Sequence, residues 1–275
     1  MGTEYFLSFI FDKSPEEIER FISSNFKVRL REPDESDRKF MEIERREFLK
    51  RGLLKYPVVF IKKGGLWSNN PLETSDESFW PIEYFDLRLF EVGEYSLLEL
   101  NPQPRSSWMF VKSSDLLDFL KPFMREGFLM VSGYSDGIDL TEIGLKEDDE
   151  LLLYMELVSI IEKKEEILPS GLTVVKANLL FLEDGLYELV ERPGREEKEY
   201  VLIKSLEGYK ILVSARESDL TDEECYLDLL EDKAWFSLEI VGLVFKRIGR
   251  KVEDEFLVKR AEEYFKAQVG DAGGC

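Results

Sequence analysis

Asp184 precedes Glu196-Glu197-Lys198 in the chain. Carboxylate nucleases use this order, an acid on one strand of a hairpin and a Glu-x-Lys set on the next, so that the acids hold Mg²⁺ and the lysine lies beside the attacked phosphate. A chain in which 34% of residues are charged produces such a spacing by chance. Asp184 is also followed by Gly185, and Asp-Gly is a turn pair in its own right. Ser36-Asp37-Arg38-Lys39 has the Ser-x-x-Lys spacing of one nucleophile class, which needs a buried lysine of lowered pKa to activate the serine. Lys39 sits among charges instead, and helix capping is the simpler role for Ser36. Cys225 follows Glu223 and Glu224, whose charge raises a thiol pKa, so it reads as a structural cysteine rather than a nucleophile.

The chain contains no histidine in 275 residues. The commonest catalytic base and the commonest metal ligand are therefore missing together, along with any Ser-His or Cys-His pair and any His-bearing zinc site. Neither a Gly-x-Gly-x-x-Gly loop nor a Walker-type loop is present, so phosphate cradles of those kinds have no support. No catalytic residue, cofactor or metal ligand is assigned from the sequence.

Two features suit recognition better than catalysis. The segment 66–81 carries Trp67, Asn69, Asn70 and Trp80 among Ser, Thr, Pro, Asp and Glu without periodicity, as expected of a long loop that offers tryptophan to a partner. Lys246, Arg247, Arg250 and Lys251 form a basic island that can grip a phosphate or an acidic groove, or else complete a helix C-terminus beside Gly249.

Charge frames both features. Asp plus Glu number 57 against 37 Lys plus Arg, a formal net charge of -20 that opposes adsorption to anionic lipid or duplex DNA. Scarce glutamine and two cysteines beside abundant Glu, Lys and Arg match the bias of heat-adapted proteins, and a thermophilic source is the expectation. Cys225 and Cys275 make neither a disulfide framework nor a metal cluster, which fits a reducing cytoplasm. The first residues are acidic where a signal peptide is basic, and the apolar runs at 5–11 and 151–161 are too short or too interrupted to span a bilayer.

The elements that must position these residues read as an α+β protein of two domains, over residues 1–140 and 141–275. In the first, an α/β domain with a mixed sheet, a strand over 5–11 leads to Ser14-Pro15-Glu16-Glu17, a capping box with proline at the first helical position. Residues 27–54 fit a hairpin or, as preferred here, a helix after Ser36. Strands follow over 56–61, within 82–90 and over 95–100, then a strand at 108–111, a helix over 114–123 distorted by Pro122, and a strand at 128–131. In the second domain, an acidic-to-basic pattern over 147–166 reads as a helix. Four strands divided by Asp184-Gly185, Pro193-Gly194 and Glu207-Gly208 then read as an antiparallel meander packed on helices. A helical tail begins at Thr221-Asp222-Glu223-Glu224, runs to about Gly249 and is followed by a last helix over 252–268.

By subtraction and charge, the expected function is that of a non-enzymatic intracellular interaction or regulatory protein. Its acidic surface is expected to dock on a basic protein partner, for example within a nucleoprotein assembly such as a ribosome or a DNA-processing complex. The alternative is a divalent-metal-dependent phosphoesterase or nuclease built on carboxylates.

Overall fold

The computed structural model describes residues 5–39, 58–74, 77–111, 113–135, 166–167, 172–179, 182–189, 198–217, 220, 243–244 and 248–269. The chain opens with strand β1 (Tyr5–Phe11) and helix α1 (Pro15–Asn25). Ser14 caps α1 as its sequence requires: Glu17 N–H donates to Ser14 Oγ at 3.3 Å, and Ser14 N–H donates to Glu17 Oε2 at 3.0 Å. The helix buries Ile18, Phe21 and Ile22.

Strands β2 (Lys27–Arg31), β3 (Val58–Leu72), β4 (Ile82–Val92) and β5 (Tyr95–Gln103) follow. A 3₁₀ helix (Arg105–Phe110) occupies the position expected to be a strand, and it buries Trp108 completely. Helix α2 (Ser113–Glu126) continues past Pro122 and leads to β6 (Met130–Ser135). The remaining strands are β7 (Glu166–Ile167), β8 (Leu172–Lys176), β9 (Gly185–Leu189), β10 (Glu199–Leu206), β11 (Tyr209–Arg216), β12 (Leu243–Val244) and β13 (Ile248–Lys251). Helix α3 (Glu255–Val269) is last.

Eleven of these strands form one sheet in the order β13-β9-β10-β11-β8-β6-β1-β5-β4-β3-β2, and β12 pairs with β7 separately. Every pairing is antiparallel, which makes the protein α+β with strands predominating. The expectation of a mixed sheet is corrected accordingly. Helix α1 does follow a strand, but the chain then enters four antiparallel neighbours instead of crossing back to a parallel one.

The expected four-stranded meander is also rearranged. β9, β10 and β11 do run as hairpin neighbours, with Glu207 at φ 49° and Gly208 at φ 84° in the two-residue loop between β10 and β11. β8 joins β11 rather than β9, because the second edge of β9 is taken by β13. On its other side β8 bonds β6, and the expected domain boundary at 140/141 lies outside the described residues. The helix expected over 147–166 lies outside the described residues except at its end, where Glu166 is in β7. The tail helix expected to close near Gly249 is overturned at its end, where Leu243, Val244 and Ile248–Lys251 are strand. Neighbouring strands offer these residues backbone partners that outweigh the helical spacing of their apolar side chains.

Antiparallel register gives the sheet two distinct faces. Leu7, Phe9 and Phe11 point to the helical side, where Phe9 and Phe26 stack on Phe123 at 4.4 and 5.1 Å and Phe85 stacks on Phe119 at 4.8 Å. Tyr209 O–H donates to Met124 O at 2.9 Å and ties β11 to α2, while burial pushes its phenol up to about 12. The opposite face carries the register row Ser8, Glu99, Arg88, Lys63, Arg31. Glu99 in that row is 1% exposed and ion-pairs with Arg88.

Candidate interaction surface

The segment 66–81 is strand in its first part, residues 66–72, and its described residues between Leu72 and Ile82 lie in no named strand or helix. β3 continues through Leu72, and its register against β4 shifts between Trp67↔Tyr84 and Leu72↔Ile82, so that residues 68–71 bulge outward. Ser68 Oγ bonds the Asn70 carbonyl. Asn69 Nδ2 donates to Asn25 O at 2.8 Å, satisfying a terminal carbonyl of α1. The two asparagines therefore shape and anchor the bulge, and both remain exposed.

Trp67 is half-buried on the sheet face opposite α1 and α2, in the cross-strand row Lys27, Trp67, Tyr84, Gln103. Its ring lies 4.9 Å from that of Tyr84 at 48°. Lys27 Nζ and the Arg29 guanidinium stand 5.5 and 5.6 Å from its centroid. Tyr84 leans over Gly65, where a β-carbon would come within 2.4 Å of the phenol ring. Its hydroxyl donates to Asp86 Oδ1 at 2.9 Å, and Gln103 Nε2 donates to Asp86 Oδ2 at 2.9 Å. Burial, and then the Asp86 carboxylate, hold the Tyr84 phenol above its ordinary pKa. At Gly64 a β-carbon would lie 1.9 Å from the Arg29 carbonyl, so the approach of β2 to β3 requires glycine there.

The nearby cations divide into two sets. Arg31 and Lys63 each lie 3.2 Å from Asp34, Lys63 also pairs with Asp37, and Lys62 pairs with Glu32. The Asp37 backbone N–H, then Arg31 and Lys63, hold the Asp34 carboxyl well below the usual carboxylate range. Lys27 and Arg29, by contrast, have no carboxylate partner among the described residues. Asp34 and Asp37 also exchange reciprocal backbone bonds at 2.9 and 3.0 Å. The cap of the helical residues 35–39 is thus Asp34 and not Ser36, whose side chain is exposed, as is Lys39. The Asp34 carboxylate accepts the Asp37 N–H and pairs with both Arg31 and Lys63, more than a serine hydroxyl can satisfy.

Trp80 is 78% exposed. It follows a segment fixed by Glu73 N–H to Asp115 Oδ2 at 2.9 Å and by Thr74 Oγ1 to Phe79 O at 3.0 Å, and Glu73, Glu77 and Glu83 flank it with exposed carboxylates. The two tryptophans therefore differ electrostatically, Trp67 lying under cations and Trp80 in an acidic stretch.

Of the basic island, Lys246 and Arg247 lie outside the described residues. Arg250 and Lys251 are in β13 at the far edge of the sheet, not at a helix end. The Lys251 stem covers Gly185, where a β-carbon would meet its Cε at 2.5 Å, and its Nζ reaches Glu183 at 3.5 Å. Ten strand spacings separate β13 from β2, roughly 48 Å along the sheet. Arg250 and Lys251 are consequently on a separate surface from the Trp67 region.

Asp184 has a structural occupation. It accepts from Ser205 N–H at 2.9 Å, Ser205 Oγ at 2.7 Å and Lys210 Nζ at 2.7 Å. Partial burial opposes its ionisation, but these donors outweigh it and hold the carboxyl at about 2. Glu196, Glu197 and Cys225 lie outside the described residues, and Lys198 pairs with Glu188 at 3.4 Å. Among the described residues no group of three or more Cys, Asp or Glu is placed to hold a metal ion. No described helix is long and apolar enough to cross a membrane.

Sequence reasoning missed Lys27, Arg29 and Tyr84. The alternation Lys27-Val28-Arg29-Leu30-Arg31 was the available signal for a strand with one basic side. No protein-family model, curated protein or solved structure matches this chain.

Proposed function

We propose that the protein is a non-enzymatic interaction or regulatory protein that docks on a basic protein partner through the acidic surface around Trp80. The exposure of Trp80 carries this reading: a tryptophan 78% open to solvent is a large apolar area that binding would remove from water. Glu73, Glu77 and Glu83 around it, and the net charge of -20, favour a partner of opposite sign. The support from Asp184 is indirect, since its three donors leave the carboxylate committed to the fold. A ribosomal or DNA-processing assembly would supply basic protein surfaces of this kind.

Affinity capture with the wild-type chain and with Trp80→Ala, each at low and at high salt, tests the proposal. The expected result is a basic protein retained by wild type at low salt, reduced at high salt and reduced again by Trp80→Ala. An acidic partner, or capture indifferent to both changes, would overturn it.

A further inference from the structure

The edge strand β2 offers a second and electrostatically opposite surface. Among the described residues β2 is terminal in the eleven-stranded sheet and bonds only β3, so alternate residues direct backbone N–H and C=O groups away from it. Val28 and Leu30 pack against the core and hold the strand in register, while Lys27, Arg29 and Arg31 are exposed. Arg31 has its carboxylate in Asp34. Lys27 and Arg29 have none among the described residues, although acids outnumber bases by 57 to 37 in this chain, and both instead lie over Trp67.

We propose that the β2 edge is a strand-addition site for an extended acidic segment of a partner protein, with backbone hydrogen bonds to β2 and carboxylates on Lys27 and Arg29 over the Trp67 ring. The spacing suits this occupant. A strand paired with β2 places every second side chain about 5 Å from Lys27 and Arg29, so carboxylates two residues apart meet both cations. A second copy of this chain is a poor occupant, because its β2 edge carries the same positive charge. The remote acids of the chain do not cancel the attraction, since Debye screening at physiological salt confines it to about 8 Å. This site is independent of the reading for Trp80, which lies outside β2 and β3, in a segment rich in Glu.

The test uses the full chain and three probes. They are a blocked seven-residue peptide alternating Glu with Thr, the same peptide N-methylated at alternate residues, and a ten-nucleotide oligothymidylate. Binding is followed by calorimetry and by backbone amide shifts. The acidic peptide is expected to bind and to shift the amides of β2, and N-methylation is expected to abolish binding. Lys27→Glu with Arg29→Glu should weaken it about tenfold or more, whereas Lys27→Arg with Arg29→Lys should retain it. Thermal melting confirms that both double variants fold. Trp80→Ala, which bears on the proposed function, should leave peptide affinity unchanged. The inference is overturned if the acidic peptide does not bind, if it binds the charge-reversed variant equally, if N-methylation has no effect, or if oligothymidylate displaces it from the same amides.

Discussion

Lys27 and Trp67 stand directly opposite each other across the β2–β3 ladder, the ammonium 5.5 Å from the indole centroid. Arg29, one pleat further along on the same side of β2, reaches the same ring from 5.6 Å. A residue in the row of Tyr84 is thereby joined to the outermost strand by cation–π contact rather than by an ion pair. Exposed contacts of this type contribute on the order of 0.5–1 kcal/mol. Lys27→Ala is expected to lower unfolding free energy by no more than about that amount, measured by urea denaturation. A loss of several kcal/mol would mean that Lys27 is a structural residue rather than an available cation.

Gly65→Ala tests how the Trp67 row is seated. A β-carbon 2.4 Å from the Tyr84 ring must displace it, and Tyr84 then loses its bond to Asp86. A destabilisation of about 1–3 kcal/mol is expected. Combination with Tyr84→Ala should remove most of the penalty, because the obstructing ring is then gone. Additive losses in the two denaturation curves would contradict the packing described here.

Asp184 supplies a pH dependence with a definite sign. Its carboxyl is held at about 2 in the folded protein, below its ordinary value of 3.8, so its contribution is present above the unfolded pKa and declines as pH falls from about 4 towards 2. Its side chain is 38% exposed, so screening reduces the effect to about 1 kcal/mol. Asp184→Asn should lower stability by about that amount at pH 7 and flatten the acid limb of the stability profile. Metal-dependent phosphodiesterase activity lost in the same variant would instead restore the carboxylate-metal reading.

Tyr209→Phe removes the buried donor to the Met124 carbonyl and keeps the ring packed 4.8 Å from Phe128. The expected cost is about 1–2 kcal/mol, from the unmet carbonyl and the lost bond together. A cost near zero would show that the phenol contributes only its ring.

Legibility varied with the range of the interactions involved. The capping box at Ser14, the hairpin turn at Glu207-Gly208 and the last helix were readable because each depends on neighbouring residues. Strand order was not readable, since β8 pairs with both β6 and β11 for reasons set by distant edges. The Trp67 segment reads as a loop because its Ser, Thr, Pro, Asp and Glu show no period, whereas the pairing that keeps residues 66–72 in β3 comes from the distant strands β2 and β4. Trp67 and Trp80 were grouped by proximity in sequence, whereas folding places the first beneath Lys27 and Arg29 and leaves the second 78% exposed.

The most direct measurement of the central claim is the association rate constant of the captured partner with the wild-type chain and with Trp80→Ala, from about 20 to about 200 mM salt. For the wild type, salt should slow association strongly and change dissociation little, because steering acts at a distance. Trp80→Ala should retain that salt slope and dissociate at least about tenfold faster. Association indifferent to salt, together with unchanged dissociation in Trp80→Ala, would contradict the account.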